Sequence, residues 1–214
     1  MSNRFNLCEN CYKPMTDPMT RFQRLQQRYR DGDIPWDHEL PPPEVIAVAA
    51  ELPPGRMLDL GCGTARACVY LAARGWQADG VDFVPEAIAL AEERVRRAGV
   101  AHRVRLFTAP VTSLPFLNDA YDLVLDVGCM HGMSGEELQA YAGEVIRLTR
   151  PGGLYLLFAH LNDGTSSEMS RWIAKGEVER LFIPAFTVER VEYGVTHVCD
   201  TIWPSAWYWL RRRN

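Results

Sequence analysis

Several things are missing from this chain of 214 residues, and each absence narrows what it does. No apolar run approaches the ~20 residues needed to span a bilayer. The opening stretch "MSNRFNLCENCYKPM" lacks the apolar core of a secretory signal. The expectation is a cytoplasmic protein with no membrane partner. There is no basic surplus either: the net charge is −4, and the closing "RRRN" reads as a solvated tail. Nucleic acid is therefore not an expected partner. Zinc ribbons use two paired sets of ligands, and here only one CxxC is present, Cys8 and Cys11. The other cysteines, Cys62, Cys68, Cys129 and Cys199, are scattered. Free thiols in a reducing compartment and no metal site is the reading, with a zinc or redox role for Cys8 and Cys11 as the alternative. No internal repeat or low-complexity tract is found.

What is present is a globular composition, 47% hydrophobic, in a length that suits one domain with a short appendage. Residues 1–43 read as an N-terminal extension and residues 44–214 as the main domain. In the extension, Phe22, Leu25 and Tyr29 recur at helical spacing, and Gly32 suits the end of that helix. A proline-rich connection, "DIPWDHELPPPEV", leads into a second helix, "PEVIAVAAEL".

From residue 56 strands and helices alternate. "RMLDL", "QADGVDF", "RVRLFTA", "YDLVLDVG" and "LYLLFAH" read as strands; "ARACVYLAARG", "PEAIALAEERVRRAG" and "SGEELQAYAGEVIRLT" read as helices. Ser134 and Glu137 are spaced for a capping box on the last of these. Such alternation predicts a parallel sheet with helices on both faces. After a short helix, "EVERLF", two strands follow with no long helix between them, "FTVERVEYGV" and "DTIWPSAWYWL". So short a connection allows only antiparallel pairing. The prediction is an α/β, Rossmann-like, doubly wound, mostly parallel seven-stranded sheet with an antiparallel strand pair at its C-terminal end.

In such sheets ligands bind beyond the carboxyl ends of the strands, at the switch in strand order. The turn "DLGCGTAR" after the first strand is the leading candidate. Gly61 and Gly63 permit close backbone approach. Asp82 ends the second strand 19 residues after Gly63, a spacing that suits a carboxylate accepting from ribose hydroxyls. A dinucleotide would want a third glycine, where Arg66 stands, and Asp59 would repel its phosphates. A cationic nucleoside without phosphate would instead be attracted by Asp59.

"LDLGCGTAR", "VDFVPEAI", "YDLVLD" and "RLTRPGGLYLL", in that order, resemble the class I S-adenosylmethionine-dependent methyltransferases over about residues 36 to 210. The resemblance implies S-adenosyl-L-methionine as cofactor and S-adenosyl-L-homocysteine as product. It places Asp59, Gly61, Cys62 and Gly63 around the methionine part, Asp82 on the ribose, Phe83 on the adenine, and Val127 at the end of the fourth strand against the cofactor. The family often has an acidic residue after the third strand, facing the adenine amino group. Pro110 occupies that stretch, which leaves the adenine edge to backbone near Val111.

The loop "DVGCMHGMSG" after the fourth strand lacks the Asn/Asp-Pro-Pro-Tyr type motif of nucleic-acid N-methyltransferases. "RYRDGDIPWDHELPPPE", with Trp36, is similar to the closing segment of small-molecule methyltransferases that act on thiols, halides and thiopurines. This resemblance implies a small-molecule acceptor, most simply a thiol or other soft nucleophile; a monomer or homodimer is expected. An oxygen or nitrogen acceptor would benefit from a base, for which His131 is the candidate; hydrogen bonding to loop backbone is its alternative role. Cys129 and His160 are candidate substrate contacts, with packing roles as their alternatives. Trp203, Trp207 and Trp209 read as sheet packing. The segment from Thr20 to Pro43 reads as a lid over the cofactor site, with an extra helix packed elsewhere as its alternative.

Overall fold

The computed structural model describes residues 19–118, 120–162, 172–198 and 201–214. Cys8, Cys11 and Cys199 lie outside them. Two helices precede the first strand: α1 (Arg21–Asp31) and α2 (Pro43–Glu51). Thr20 caps α1 in a reciprocal box with Gln23, and Gly32 closes it in the left-handed region. The alternating part follows: β1 (Arg56–Leu60), α3 (Arg66–Ala72), β2 (Gln77–Asp82), α4 (Pro85–Arg97), β3 (Val104–Thr108), β4 (Tyr121–Val127), α5 (Glu136–Leu148) and β5 (Thr149–Asn162). The chain ends with β6 (Ile173–Ala174), α6 (Glu177–Phe182), β7 (Phe186–Val198) and β8 (Thr201–Arg212).

Seven strands lie in the order β3-β2-β1-β4-β5-β8-β7, and the two-residue β6 pairs with β5 off this path. β1 to β5 are parallel to one another; β8 runs antiparallel to both β5 and β7. The expected architecture is present, with β6 as an addition. A parallel core of this kind needs both faces covered. One face carries Leu58, Leu60, Val124, Tyr155 and Leu157 under α5 and α6; the other carries Met57, Leu123, Leu125 and Leu156 under α2, α3 and α4.

Two local expectations fail. β5 starts at Thr149, so Pro151, Gly152 and Gly153 lie within the strand rather than ahead of it. The α5 cap is Gly135 at φ +54, with no side-chain hydrogen bond. Ser134 lies one residue ahead of this cap and forms no capping box, and the Glu137 carboxylate is engaged instead by Arg21 of α1, at 2.9 Å. Strand order reverses between β1 and β4, which opens a crevice at their carboxyl ends.

Candidate functional site

The turn after β1 is built from three residues in the left-handed region: Gly61 (φ +73), Gly63 (φ +54) and Ala65 (φ +61). Glycine adopts this region without steric cost, whereas alanine does so at roughly 1–2 kcal/mol. A side chain is excluded at Gly61 and tight at Gly63. A Cβ on Gly61 would lie 2.6 Å from the Cys129 Cβ, and one on Gly63 would lie 3.0 Å from the Tyr29 hydroxyl. The turn is pinned to β2: Gly61 and Cys62 donate N–H to the Val81 carbonyl, at 2.8 and 2.9 Å.

Three carboxyls stand at or near the ends of the strands β1, β2 and β4, and all are buried: Asp59, Asp82 and Asp126. Asp82 accepts from the N–H of Gly63 (3.0 Å) and of Val84 (2.9 Å). Asp126 accepts from the N–H of Cys129 (2.7 Å) and Met130 (2.9 Å) and from the Tyr141 hydroxyl (2.5 Å). Asp59 has a weaker partner, the Cys68 thiol at 3.7 Å. Burial pushes the Asp59 carboxyl up to about 7; Arg66 opposes this, while Asp126 and Asp82 add to it. Burial likewise raises Asp126 to about 6, against the hydrogen bonds from Tyr141, Cys129 and Met130. Asp82 is raised by burial and held down by the N–H groups of Val84 and Gly63. A cradle with this much buried acid favours a cation and repels a phosphate.

Above the turn lies α1. It is fastened by Arg21 to Glu137 and to the Gly132 carbonyl, and by Gln26 and Arg30 to Glu86 at 3.1 and 2.7 Å. Phe22 meets Phe83 edge-on with ring centroids 5.7 Å apart. Beyond α1, Asp37 takes a bidentate pair from Arg94 (2.8 and 3.0 Å) and a hydrogen bond from the Thr64 hydroxyl (2.6 Å). Residues 21–37 therefore cross the glycine turn and are anchored on both sides of it. Trp36 itself sits one layer out. It packs edge-on against Tyr29 at 6.0 Å and donates to the Tyr29 hydroxyl at 3.4 Å, with Arg28 over its ring. Tyr29 is the ring that reaches Gly63. In the sequence it is only one member of an apolar stripe, and nothing there singles out its hydroxyl. Asp37 and Arg94 carry no local signal at all.

On the other side of the crevice, Cys129 packs against Gly61 and is half-buried; burial pushes its thiol well above the ordinary range. His131 follows on a short 3-10 turn, Met130–Gly132. Its Nδ1 accepts from the His160 N–H at 3.3 Å, and the two imidazoles lie 4.7 Å apart. The partner is backbone of strand β5 rather than of the loop. Trp172 and Trp203 pack on His160 at 4.9 and 5.2 Å. Trp207 packs on Phe158 at 5.1 Å, and Trp209 is buried in the sheet core. Val111 is buried in the loop after β3, and Val127 is partly buried at the end of β4. The structure thus gathers Asp59, Gly61, Cys62, Gly63, Asp82, Phe83 and Cys129 around one turn, and sets His131 with His160 beside it. Among the described residues no group of acidic, histidine and cysteine side chains is arranged to hold a metal. No helix of the described residues is long and apolar enough to cross a membrane.

Comparison with known proteins agrees with this geometry. Residues 57–153 match the family model of a methyltransferase domain. Norajmaline N-methyltransferase of Rauvolfia serpentina is 31% identical over 118 residues, which are 54% of this chain and 40% of that protein. The 2-heptyl-1-hydroxyquinolin-4(1H)-one methyltransferase of Mycobacteroides abscessus is 30% identical over 124 residues, 58% of this chain and 54% of its own length. The chain thus spans about half the length of these relatives, or less. Among solved structures, the N-methyltransferase NodS of Bradyrhizobium japonicum, in complex with S-adenosylhomocysteine, has a TM-score of 0.74 at 15% identity, covering 90% of this chain and 98% of that one. The matched stretch runs from β1 into β5, and over it the chain is similar to a methyltransferase domain.

Proposed function

We propose that this protein transfers a methyl group from S-adenosylmethionine to a small-molecule acceptor, and that the acceptor atom is a thiolate or other soft nucleophile. The observation that carries the cofactor half of the reading is the acid-rich glycine cradle. It leaves no room for a Cβ on Gly61 and little on Gly63, and it buries Asp59 with the Cys68 thiol as a hydrogen-bonding partner. A cationic amino-acid moiety supplies the charge that Asp59 lacks; a pyrophosphate would worsen the repulsion. Asp82 keeps lone pairs beyond its two N–H bonds for ribose hydroxyls. Phe83 offers a ring for adenine, while Cys62, Val111 and Val127 complete the wall. Tyr29, backed by Trp36, excludes water from above.

When bound, the cofactor supplies a methyl group already activated on a positive sulfur. What remains for the chain is to align an acceptor and exclude water. Cys129, His131 and His160 face that side. His131 accepts a backbone N–H at Nδ1, so its neutral ring carries the proton on Nε2. Acting as a base through Nδ1 would cost that bond. A thiolate needs no such help, and this supports a soft nucleophile.

A second reading has a nitrogen or oxygen acceptor with His131 as base. It is favoured by the names of the relatives, which include an N-methyltransferase. A third has a cofactor-binding regulatory protein without transfer. A screen with labelled methyl donor against matched thiols, amines and hydroxyl compounds separates the three. Label on thiols alone supports the first reading. Label on amines or hydroxyls, lost in His131→Ala, supports the second, and cofactor binding without transfer supports the third.

A further inference from the structure

Asp126, Tyr141 and Tyr155 are buried side chains that no role above uses, although they sit directly under the loop that faces the acceptor. Asp126 interrupts the apolar run of β4 and is fully buried, as are Tyr141 of α5 and Tyr155 of β5. The three form one chain of hydrogen bonds. The hydroxyls of Tyr155 and Tyr141 are 2.9 Å apart, and Tyr141 donates to Asp126 Oδ2 at 2.5 Å. Oδ1 of the same carboxylate takes the N–H of Cys129 at 2.7 Å, and Oδ2 takes that of Met130 at 2.9 Å. Two consecutive N–H groups held by one carboxylate fix both the position and the direction of a loop.

That loop touches both halves of the site. Cys129 is the side chain that closes on Gly61, where a Cβ would come within 2.6 Å. His131 covers Gly128, where a Cβ would lie 3.0 Å from its ring. Burying an acid in this way is costly unless its lone pairs are satisfied, and a chain of hydrogen bonds in a low-dielectric interior acts as a unit. For holding the sheet together, an apolar trio would serve as well.

We infer that Asp126, with Tyr141 and Tyr155 behind it, is a positioning device that sets the 128–132 loop. It holds Cys129 against the glycine turn and His131 over the acceptor, and so governs alignment of the acceptor rather than affinity for the cofactor. The inference rests on the methyltransferase reading for its catalytic consequence, but its structural half stands by itself. Tyr141→Phe removes one hydroxyl and leaves the ring in place. Asp126→Asn replaces an acceptor oxygen by an NH2 that opposes a backbone N–H, and is the more severe change.

The test reads Tyr141→Phe, Tyr155→Phe and the double variant in the full chain. The first measurement is the rate at which iodoacetamide labels Cys129, followed by peptide mass spectrometry with the buried Cys62 as internal reference. The second is the dissociation constant of S-adenosylhomocysteine, and the third is the transfer rate to whichever acceptor the labelled-donor screen returns. Cys129 labelling should rise severalfold relative to Cys62 in each variant. The double variant should add little to Tyr141→Phe, because Tyr155 acts through Tyr141. Cofactor affinity should stay within about twofold, while kcat falls about tenfold, roughly the worth of one charge-assisted hydrogen bond. Unchanged Cys129 labelling would overturn the positioning role, as would equal labelling increases at Cys62 and Cys129, which mean general loosening. Should wild-type protein fail to bind S-adenosylhomocysteine, the methyltransferase reading falls, while the labelling ratio still decides what holds the loop.

Discussion

Replacing Asp59 by asparagine should move stability and cofactor affinity in opposite directions. The wild-type carboxyl is raised from 3.8 to about 7 by burial, which penalises its charged form by about 4 kcal/mol. Its folded value lies above its unfolded value, so the folded protein holds the proton more tightly. Stability from this group is therefore full below about pH 4 and lost as pH rises through 7. The introduced amide does not titrate. It leaves a donor poorly paired, at roughly 1–3 kcal/mol, so at pH 8 the variant should be more stable by about 1–3 kcal/mol. At about 2–4 °C per kcal/mol for this chain length, Tm rises several degrees. At pH 5 the folded carboxyl is neutral, the wild-type penalty is cut to well under half, and the advantage should largely vanish. Binding should go the other way. A cofactor ammonium loses a charge-assisted partner worth roughly 1.5–3 kcal/mol, so S-adenosylhomocysteine should bind about ten- to a hundredfold more weakly at pH 8. Wild-type affinity should climb between pH 6 and pH 8 as Asp59 ionises, and the variant should be flat. Calorimetric titration and thermal melts at pH 5 and pH 8 read both effects. A variant that binds as tightly as wild type, with no pH-dependent difference in Tm, would refute the electrostatic account of the turn.

Asp82→Ala removes the acceptor of the Gly63 and Val84 N–H groups as well as the proposed ribose contact. Affinity for S-adenosylhomocysteine should drop at least about tenfold, with Tm lowered by the unpaired donors; calorimetry on the folded variant checks it. Gly61→Val faces both a left-handed φ and the Cys129 Cβ at 2.6 Å, so cofactor binding should be undetectable in the same assay. Trp36→Ala takes away the support of Tyr29 and should depress single-turnover transfer and cofactor affinity while circular dichroism stays native. Arg94→Ala releases Asp37 and Thr64 and should do the same by unfastening the far end of the segment, raising the cofactor dissociation rate in stopped-flow measurements.

The parts of this molecule that were legible in sequence are those written in local pattern. β1, β2 and β4 are short apolar runs bounded by glycine or acid, and α3 to α5 announce themselves by period and by Pro85 or Gly99. Their order compels a parallel sheet, and the glycine turn at its switch point follows. What stayed hidden depends on partners distant in the chain. Ser134 and Glu137 have the spacing of a capping box, yet Arg21, more than a hundred residues away, claims the glutamate. Tyr29 counts as one apolar residue among three until the fold carries α1 across Gly63. Trp36, conspicuous in its proline-rich stretch, packs on Tyr29, a contact that nothing local announces. Ala65 adopts a backbone conformation that only glycine would have advertised. Asp126 is visible as an acid in an apolar strand, a sign that something must satisfy it, but the two tyrosines that do so come from α5 and β5.

The central claim is that the acid-rich turn holds S-adenosylmethionine and not a phosphate-bearing dinucleotide. Isothermal titration of the full chain at pH 8 with S-adenosylhomocysteine and, separately, with NAD tests it most directly. The account predicts one site for S-adenosylhomocysteine, weakened in Asp59→Asn and Asp82→Ala, and no heat of binding for NAD. Saturable binding of NAD, with none for S-adenosylhomocysteine, would contradict it.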